Sequence, residues 1–90
     1  MQLSIGNKVW IPCEVKSGPF SDERAVRISS VAGESIVFVR TEYLKDPIVE
    51  GKTYVRGNVI EVDDGFYTAK LPGYPIDSNI YRGKMEKVGE

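Results

Sequence analysis

The chain has 90 residues, with 12 basic and 13 acidic side chains and a formal net charge of −1. This length predicts one domain with one modest core, and the charge lacks the basic excess typical of duplex-DNA binders. A single cysteine and the absence of histidine exclude an intrachain disulfide, a multi-cysteine zinc site and any catalytic triad that needs histidine.

The N-terminal sequence MQLSIGNK has no charged region followed by an apolar stretch, so it does not resemble a signal peptide. The longest strongly apolar runs are only a few residues, as at 36–39, and are too short to span a membrane. We therefore expect a cytoplasmic protein with a single domain over residues 1–90. Its ends, residues 1–7 and 89–90, are expected to be loose.

Residues 8–16, KVWIPCEVK, alternate between apolar and polar side chains and predict a half-buried strand. The predicted buried face carries Val9, Ile11, Cys13 and Val15. Pro12 has no N–H to donate, so this strand either lies at a sheet edge or is unpaired on the side that Pro12 faces.

The next segments predict a loop at 17–24, a strand at 25–31 and a turn at 32–35. Residues 36–40, IVFVR, are apolar at consecutive positions. This pattern is typical of a central strand covered on both faces, or of a subunit contact. Residues 41–46, TEYLKD, predict one helical turn that Thr41 caps and that ends before Pro47.

Residues 55–71 predict a β-hairpin, because Asp64-Gly65 favours a two-residue type I′ turn between two alternating runs. The turn sets a register in which Val62 lies opposite Tyr67 and Ile60 lies opposite Ala69. The predicted core face carries Ile60, Val62, Tyr67, Ala69 and Leu71. On the other face Val59 is placed opposite Lys70, and a bulge is predicted at Gly57.

Residues 72–79 predict a second proline-bearing loop, followed by a short strand at 80–82 and a closing turn or strand at 84–88. Five to six short antiparallel strands with almost no helix indicate an all-β fold. A small SH3-like barrel fits this size best. The alternatives are an OB-like barrel and a small sandwich.

No motif indicates catalysis, a metal or a cofactor. The chain lacks the glycine-rich phosphate loops. Cys13 is predicted to be a buried apolar residue rather than a nucleophile, and Asp63-Asp64 is explained by the hairpin turn. We therefore predict a non-enzymatic protein without cofactors.

Large aromatic residues on polar faces or in loops are the best indication of a binding surface. Trp10 and Phe66 lie on the polar faces of their strands, and Phe20 and Tyr74 lie in the two proline-bearing loops. An aromatic-lined groove of this kind accepts extended or proline-rich peptides. The sequence therefore predicts a protein- or peptide-binding module whose ligand contacts are Trp10, Phe20, Tyr74 and Phe66.

Two alternatives stay open. Arg27, Arg40, Arg56 and Lys70 lie on strands and, beside aromatic residues, are of the type that holds RNA or single-stranded nucleic acid, although acidic residues are interspersed among them. The second alternative is a homo-oligomeric structural protein, with residues 36–39 or the strand that contains Pro12 as the subunit contact.

Overall fold

The computed structural model describes residues 3–18, 20–31 and 33–85. It contains six strands: β1 (Lys8–Ser17), β2 (Glu23–Ser30), β3 (Gly33–Arg40), β4 (Lys52–Asp63), β5 (Phe66–Lys70) and β6 (Ile80–Lys84). Within the described residues it also contains the 3₁₀ turns η1 (Thr41–Tyr43) and η2 (Ile76–Ser78). The strands pair antiparallel in the order β3-β2-β1-β4-β5-β6 and curl into a half-barrel. The all-β prediction is confirmed.

The core lies on the concave face of this sheet, where the alternating apolar residues of the strands point. The largest of the almost completely buried side chains among the described residues are Val9, Ile11, Val26, Ile28, Val37, Val39, Val55, Val59, Tyr67 and Leu71. Residues 8–16 therefore form the predicted half-buried strand, and Trp10 and Pro12 point away from the core.

Pro12 lies where β1 loses its pairing with β2. Val15 donates its N–H to Gly51 O on the β4 side at 2.7 Å, and successive N–H groups of a strand point to opposite edges. The nitrogen of Pro12 therefore faces β2. The β1–β2 ladder reaches only as far as Glu14 opposite Arg27, two residues before Pro12 would have to donate. The predicted unpaired side of this strand is confirmed.

The β4–β5 hairpin has the predicted register near its turn, with Val62 opposite Tyr67. The register then shifts between Val59 and Glu61, so that Val59 pairs with Ala69. Ile60 is the extra residue of this bulge and is 44% exposed, whereas Val59 is 1% exposed. The predicted placement of Ile60 in the core and of Val59 on the outer face is wrong, because a bulge reverses the faces of all residues before it.

The bulge predicted at Gly57 is also misplaced. Gly57 pairs regularly with Val9, and a Cβ at this position would lie 2.6 Å from Cδ1 of Ile11. The glycine is therefore needed for close packing between β1 and β4 rather than for a bend.

The structure also corrects the prediction of a central strand at 36–40, because β3 lies at one end of the sheet order. Val37 and Val39 are buried, whereas Ile36 is 53% exposed. The outward face of Phe38 is covered by Tyr74, whose ring centroid lies 5.4 Å away. The covering loop thus accounts for an apolar residue at Phe38, between the buried Val37 and Val39.

Two contacts between distant segments draw the half-barrel together. Val31 donates its N–H to Arg82 O at 2.9 Å, which links the end of β2 to β6. Phe38 and Tyr74 exchange two backbone hydrogen bonds of 2.7 and 3.1 Å, which fix the 71–79 loop against β3.

The helical turn predicted at 41–46 is present but shorter, at Thr41–Tyr43. Thr41 is its first residue and not its cap; the cap position is Arg40, without a side-chain hydrogen bond. Of the N-terminal segment expected to be loose, Leu3 packs in the core and Gly6 donates to Val59 O at 2.8 Å. Residues 89–90 lie outside the described residues. None of the described helices has the length and apolar character needed to cross a bilayer.

Candidate functional site

The four aromatic residues predicted to bind a ligand lie in three separate parts of the fold. Trp10 is half-buried on the outer face of β1, opposite Arg56 of β4. Phe66 lies beside the β4–β5 turn, with the Arg82 guanidinium 5.1 Å from its ring. Phe20 and Tyr74 lie near β3, and β2 separates that strand from β1. The structure therefore does not join Trp10, Phe20 and Tyr74 in one groove.

Phe20 and Tyr74 share the neighbourhood of Glu23. The Phe20 side chain is 63% exposed, and its carbonyl accepts the N–H of Glu23 at 3.1 Å. The Tyr74 hydroxyl donates to Glu23 Oε1 at 2.6 Å. This hydrogen bond is the main reason that the pKa of Tyr74 lies above its ordinary value. The Tyr74 hydroxyl therefore already has a hydrogen-bond acceptor within the protein.

Trp10 lies beside a cation, Lys45, and a second aromatic residue, Tyr54. The sequence did not indicate either of them as a site residue. Lys45 Nζ is 5.5 Å from the centre of the Trp10 ring and 5.8 Å from that of Tyr54. Tyr54 pairs with Pro12 and is 43% exposed. Lys45 reaches this position because its N–H donates to Tyr54 O at 2.9 Å.

A groove of about 630 Å³ runs over the outer face at this point. We call it the apolar groove and define it by Pro12, Pro47, Val49 and Tyr54, which line it. It opens where the β1–β2 ladder stops, so the proline that ends the ladder also supplies part of the floor. Charged side chains stand around these apolar residues: Glu14, Arg27, Lys45, Asp46 and Lys52.

The four residues of the predicted nucleic-acid site fall into two pairs: Arg27 and Arg40 have carboxylate neighbours, whereas Arg56 and Lys70 have none within 4.0 Å among the described residues. Arg27 contacts Glu14 with an N–O distance of 2.6 Å. Arg40 lies 3.6 Å from a carboxylate oxygen of Glu42 and 3.9 Å from one of Asp22. These two arginines therefore already have carboxylate partners on the same surface.

Arg56 and Lys70 lie together in a second depression of about 380 Å³, which we call the cationic recess. It is defined by Lys8, Arg56 and Lys70, with Asn58 and Tyr43 also lining it. Asn58 pairs with Lys8 on β1 and with Lys70 on β5, so the two lysines flank it on the outer face. Arg56 lies two residues away on the same face of β4.

The cationic recess exists because β4 changes partners. Its residue Val55 bridges to Leu44 beside η1, and its ladder with β5 begins only at Asn58. The side chains of the recess are held by two contacts. Lys8 Nζ donates to Asn58 Oδ1 at 3.0 Å, and the Arg56 guanidinium lies 5.3 Å from the Tyr43 ring.

The three cations of the recess differ from Arg27, Arg40 and Arg82 in having no carboxylate neighbour within 4.0 Å among the described residues. Within the described part of the chain, the ion pairs closer than 4.0 Å involve Arg27, Arg40 and Arg82, and none involves Lys8, Arg56 or Lys70. The positive charge of this recess is therefore available to an anionic ligand.

Cys13 and Asp63, which the sequence offered as possible reactive groups, have structural roles. Cys13 is 7% exposed, and burial raises its pKa from 9.0 to about 11, so the thiolate that a nucleophile requires is disfavoured. Asp63 accepts two hydrogen bonds of 2.9 Å from Arg82. Among residues 3–18, 20–31 and 33–85, no three Cys, Asp or Glu side chains are grouped to hold a metal ion.

We expect the stability of the protein to fall between about pH 9 and pH 11 because of Cys13. The thiol ionises from 9.0 upward in the unfolded chain but stays neutral to about 11 in the folded protein, so rising pH favours the unfolded state. This loss amounts to roughly 2–3 kcal/mol above the folded pKa. Urea unfolding of the wild type and of Cys13→Ala at both ends of this range measures it. Parallel losses in the two proteins would contradict the burial of the thiol.

Comparisons with known proteins leave the fold and these two depressions as the basis for a functional interpretation. No protein-family model matches the chain, and no curated protein and no solved structure is significantly similar to it.

Proposed function

We propose that this half-barrel is a non-catalytic, SH3-like module that binds an extended peptide segment of another protein in the apolar groove. The observation that carries the proposal is the position of Pro12, Val49 and Tyr54, which line one open groove on the outer face. Val49 is 59% exposed and Tyr54 is 43% exposed. Apolar side chains that gather on one surface mark a binding site more clearly than scattered ones do.

The shape of the groove suits an extended chain. Its floor is formed by adjacent strands, and its volume of about 630 Å³ is in the range of ligand sites. Rigid proline and aromatic surfaces favour segments that are already extended, because little conformational entropy is lost when these bind. Trp10 lies diagonally across from Tyr54, and Lys45 Nζ lies near both rings, so we include Trp10 beside the groove in this proposal.

The proposal is tested with a random peptide library displayed on phage and selected against the immobilised full chain. We expect one family of apolar or proline-containing peptides to be enriched. Its affinity should fall about tenfold or more in Tyr54→Ser, because the loss of an aromatic contact in a binding site can have an effect of this size. Isothermal titration with the enriched peptide measures the change.

Phe20→Ser is the matched control, since Phe20 is more exposed than Tyr54 but lies outside the groove. Its affinity for the peptide should equal that of the wild type. Thermal melting shows that both variants are folded. Failure to enrich any peptide family, or equal binding by Tyr54→Ser and the wild type, would overturn the proposal.

A further inference from the structure

The cationic recess is not explained by a groove that binds only apolar residues. It lies at the end of that groove: Tyr54 lines the groove, and Arg56, two residues further along the same face of β4, lines the recess. Trp10 lies beside them on β1, directly opposite Arg56 and diagonally across from Tyr54. A ligand that follows β4 therefore passes from an apolar surface to a positively charged one.

We propose that the peptide bound by this module carries an acidic residue, aspartate or glutamate, whose carboxylate binds in the cationic recess between Lys8, Arg56 and Lys70. This inference rests on the proposed peptide-binding function and adds the chemical class of the partner. Arg56 supplies a planar guanidinium suited to a carboxylate, and the two lysines supply point charges on either side.

The local charges favour this occupant. The recess cations have no carboxylate of their own within 4.0 Å among the described residues, whereas Arg27 and Arg40 are already paired. Bringing a carboxylate to Arg56 therefore breaks no existing ion pair. Lys8 Nζ donates a hydrogen bond to Asn58 Oδ1 at 3.0 Å. This bond holds Lys8 at the edge of the recess.

A single anionic side chain fits this surface better than a polynucleotide does. Lys8, Arg56 and Lys70 lie together in one recess of about 380 Å³. In the adjoining groove the carboxylates of Glu14 and Asp46 lie among Arg27, Lys45 and Lys52, so the positive charge does not continue as the track that a nucleic-acid backbone requires. The chain as a whole has a net charge of −1.

The strand geometry predicts the spacing between the two parts of the ligand. Arg56 and Asn58 lie two and four residues along β4 from Tyr54. Strand residues rise about 3.3 Å each. An extended peptide rises by a similar amount. We therefore expect its acidic residue about two to four positions from the residue that contacts Tyr54.

The experiment uses the peptides enriched on the wild-type chain, synthesised with their acidic residue and with glutamine in its place. We expect the glutamine peptide to bind about tenfold more weakly to the wild type, because charge-assisted hydrogen bonds contribute on this scale. The double variant Arg56→Gln/Lys70→Gln, which keeps only Lys8 of the three cations, should lose most of this preference. Raising the salt concentration should weaken only the pair of wild type and acidic peptide.

Arg40→Gln is the matched control, because it removes one positive charge that is already paired. It should leave the preference for the acidic peptide unchanged. In a charge exchange, Lys70→Glu should bind a peptide with lysine in place of the acidic residue better than the wild type does.

The outcomes separate this inference from the proposed function. Enriched peptides that need Tyr54 but show no preference for an acidic residue would overturn the inference and leave the peptide-binding function standing. A labelled single-stranded oligothymidylate that binds with steep salt dependence, and loses binding in Arg56→Gln/Lys70→Gln, would assign the recess to nucleic acid and also overturn the inference.

Discussion

Replacing Tyr67 with alanine is expected to lower the free energy of unfolding by about 3–5 kcal/mol, a large part of the stability of a domain of this size. Tyr67 is 2% exposed and is the largest of the fully buried side chains. Its ring packs 6.0 Å from that of Tyr81 on β6. Removing it leaves a cavity between β4, β5 and β6 that small neighbours such as Ala69 and Gly83 cannot fill. Urea titration followed by the fluorescence of Trp10 measures the loss.

Tyr67→Phe is the control for this variant. It keeps the ring and removes only the hydroxyl, whose pKa burial raises to about 12. We expect a loss of no more than about 1 kcal/mol, because a hydroxyl contributes at most on the scale of one hydrogen bond. A loss below about 1 kcal/mol for Tyr67→Ala would mean that Tyr67 is not a core residue.

The burial of Tyr67 was predictable because its cause is local in the sequence. Asp64-Gly65 determines the turn, and the turn determines which residues face each other for the next few positions. The same reasoning failed at Val59 and Ile60, where the bulge inserts one residue. Alternation alone cannot reveal a bulge between two adjacent β-branched residues, because either one suits the core.

The binding surface was less predictable, because it depends on contacts between distant segments. Alternation in β1 correctly placed Trp10 on the outer face. Its neighbours Lys45 and Tyr54 come from a connector and from β4, and only the pairing of β1 with β4 brings them together. In the same way, Lys8 and Lys70 meet at Asn58 although 62 positions separate them in the sequence.

Which arginines have carboxylate partners also could not be predicted from the sequence. Arg27, Arg40 and Arg56 look alike in the sequence, where each follows a valine on a strand. The register places Glu14 opposite Arg27 but Trp10 opposite Arg56. One cross-strand neighbour therefore decides whether an arginine is neutralised or available, and a sequence without known pairing does not contain that information.

The Gly73→Ala variant is expected to lose about 2–4 kcal/mol of stability and to free the 71–79 loop from β3. A Cβ at Gly73 would lie 2.4 Å from Phe38 O and 2.8 Å from Cγ1 of Val39, and the backbone has a φ of +157°. The backbone of β3 cannot move away, because Phe38 is paired with both Ala25 and Tyr74. Amide hydrogen exchange should show that Phe38 loses its protection.

Gly65→Ala separates steric overlap from backbone strain. Gly65 also has a positive φ, +75°, but nothing lies within 4 Å of its Cβ position. We expect a loss of only about 1 kcal/mol, the cost of a left-handed conformation for alanine, with the exchange of the Phe38 amide unchanged. Equal losses in the two variants would show that strain alone is at work and that the loop does not pack against β3. A larger loss in Gly73→Ala, with faster exchange at Phe38, would establish that this loop closes the open side of the half-barrel.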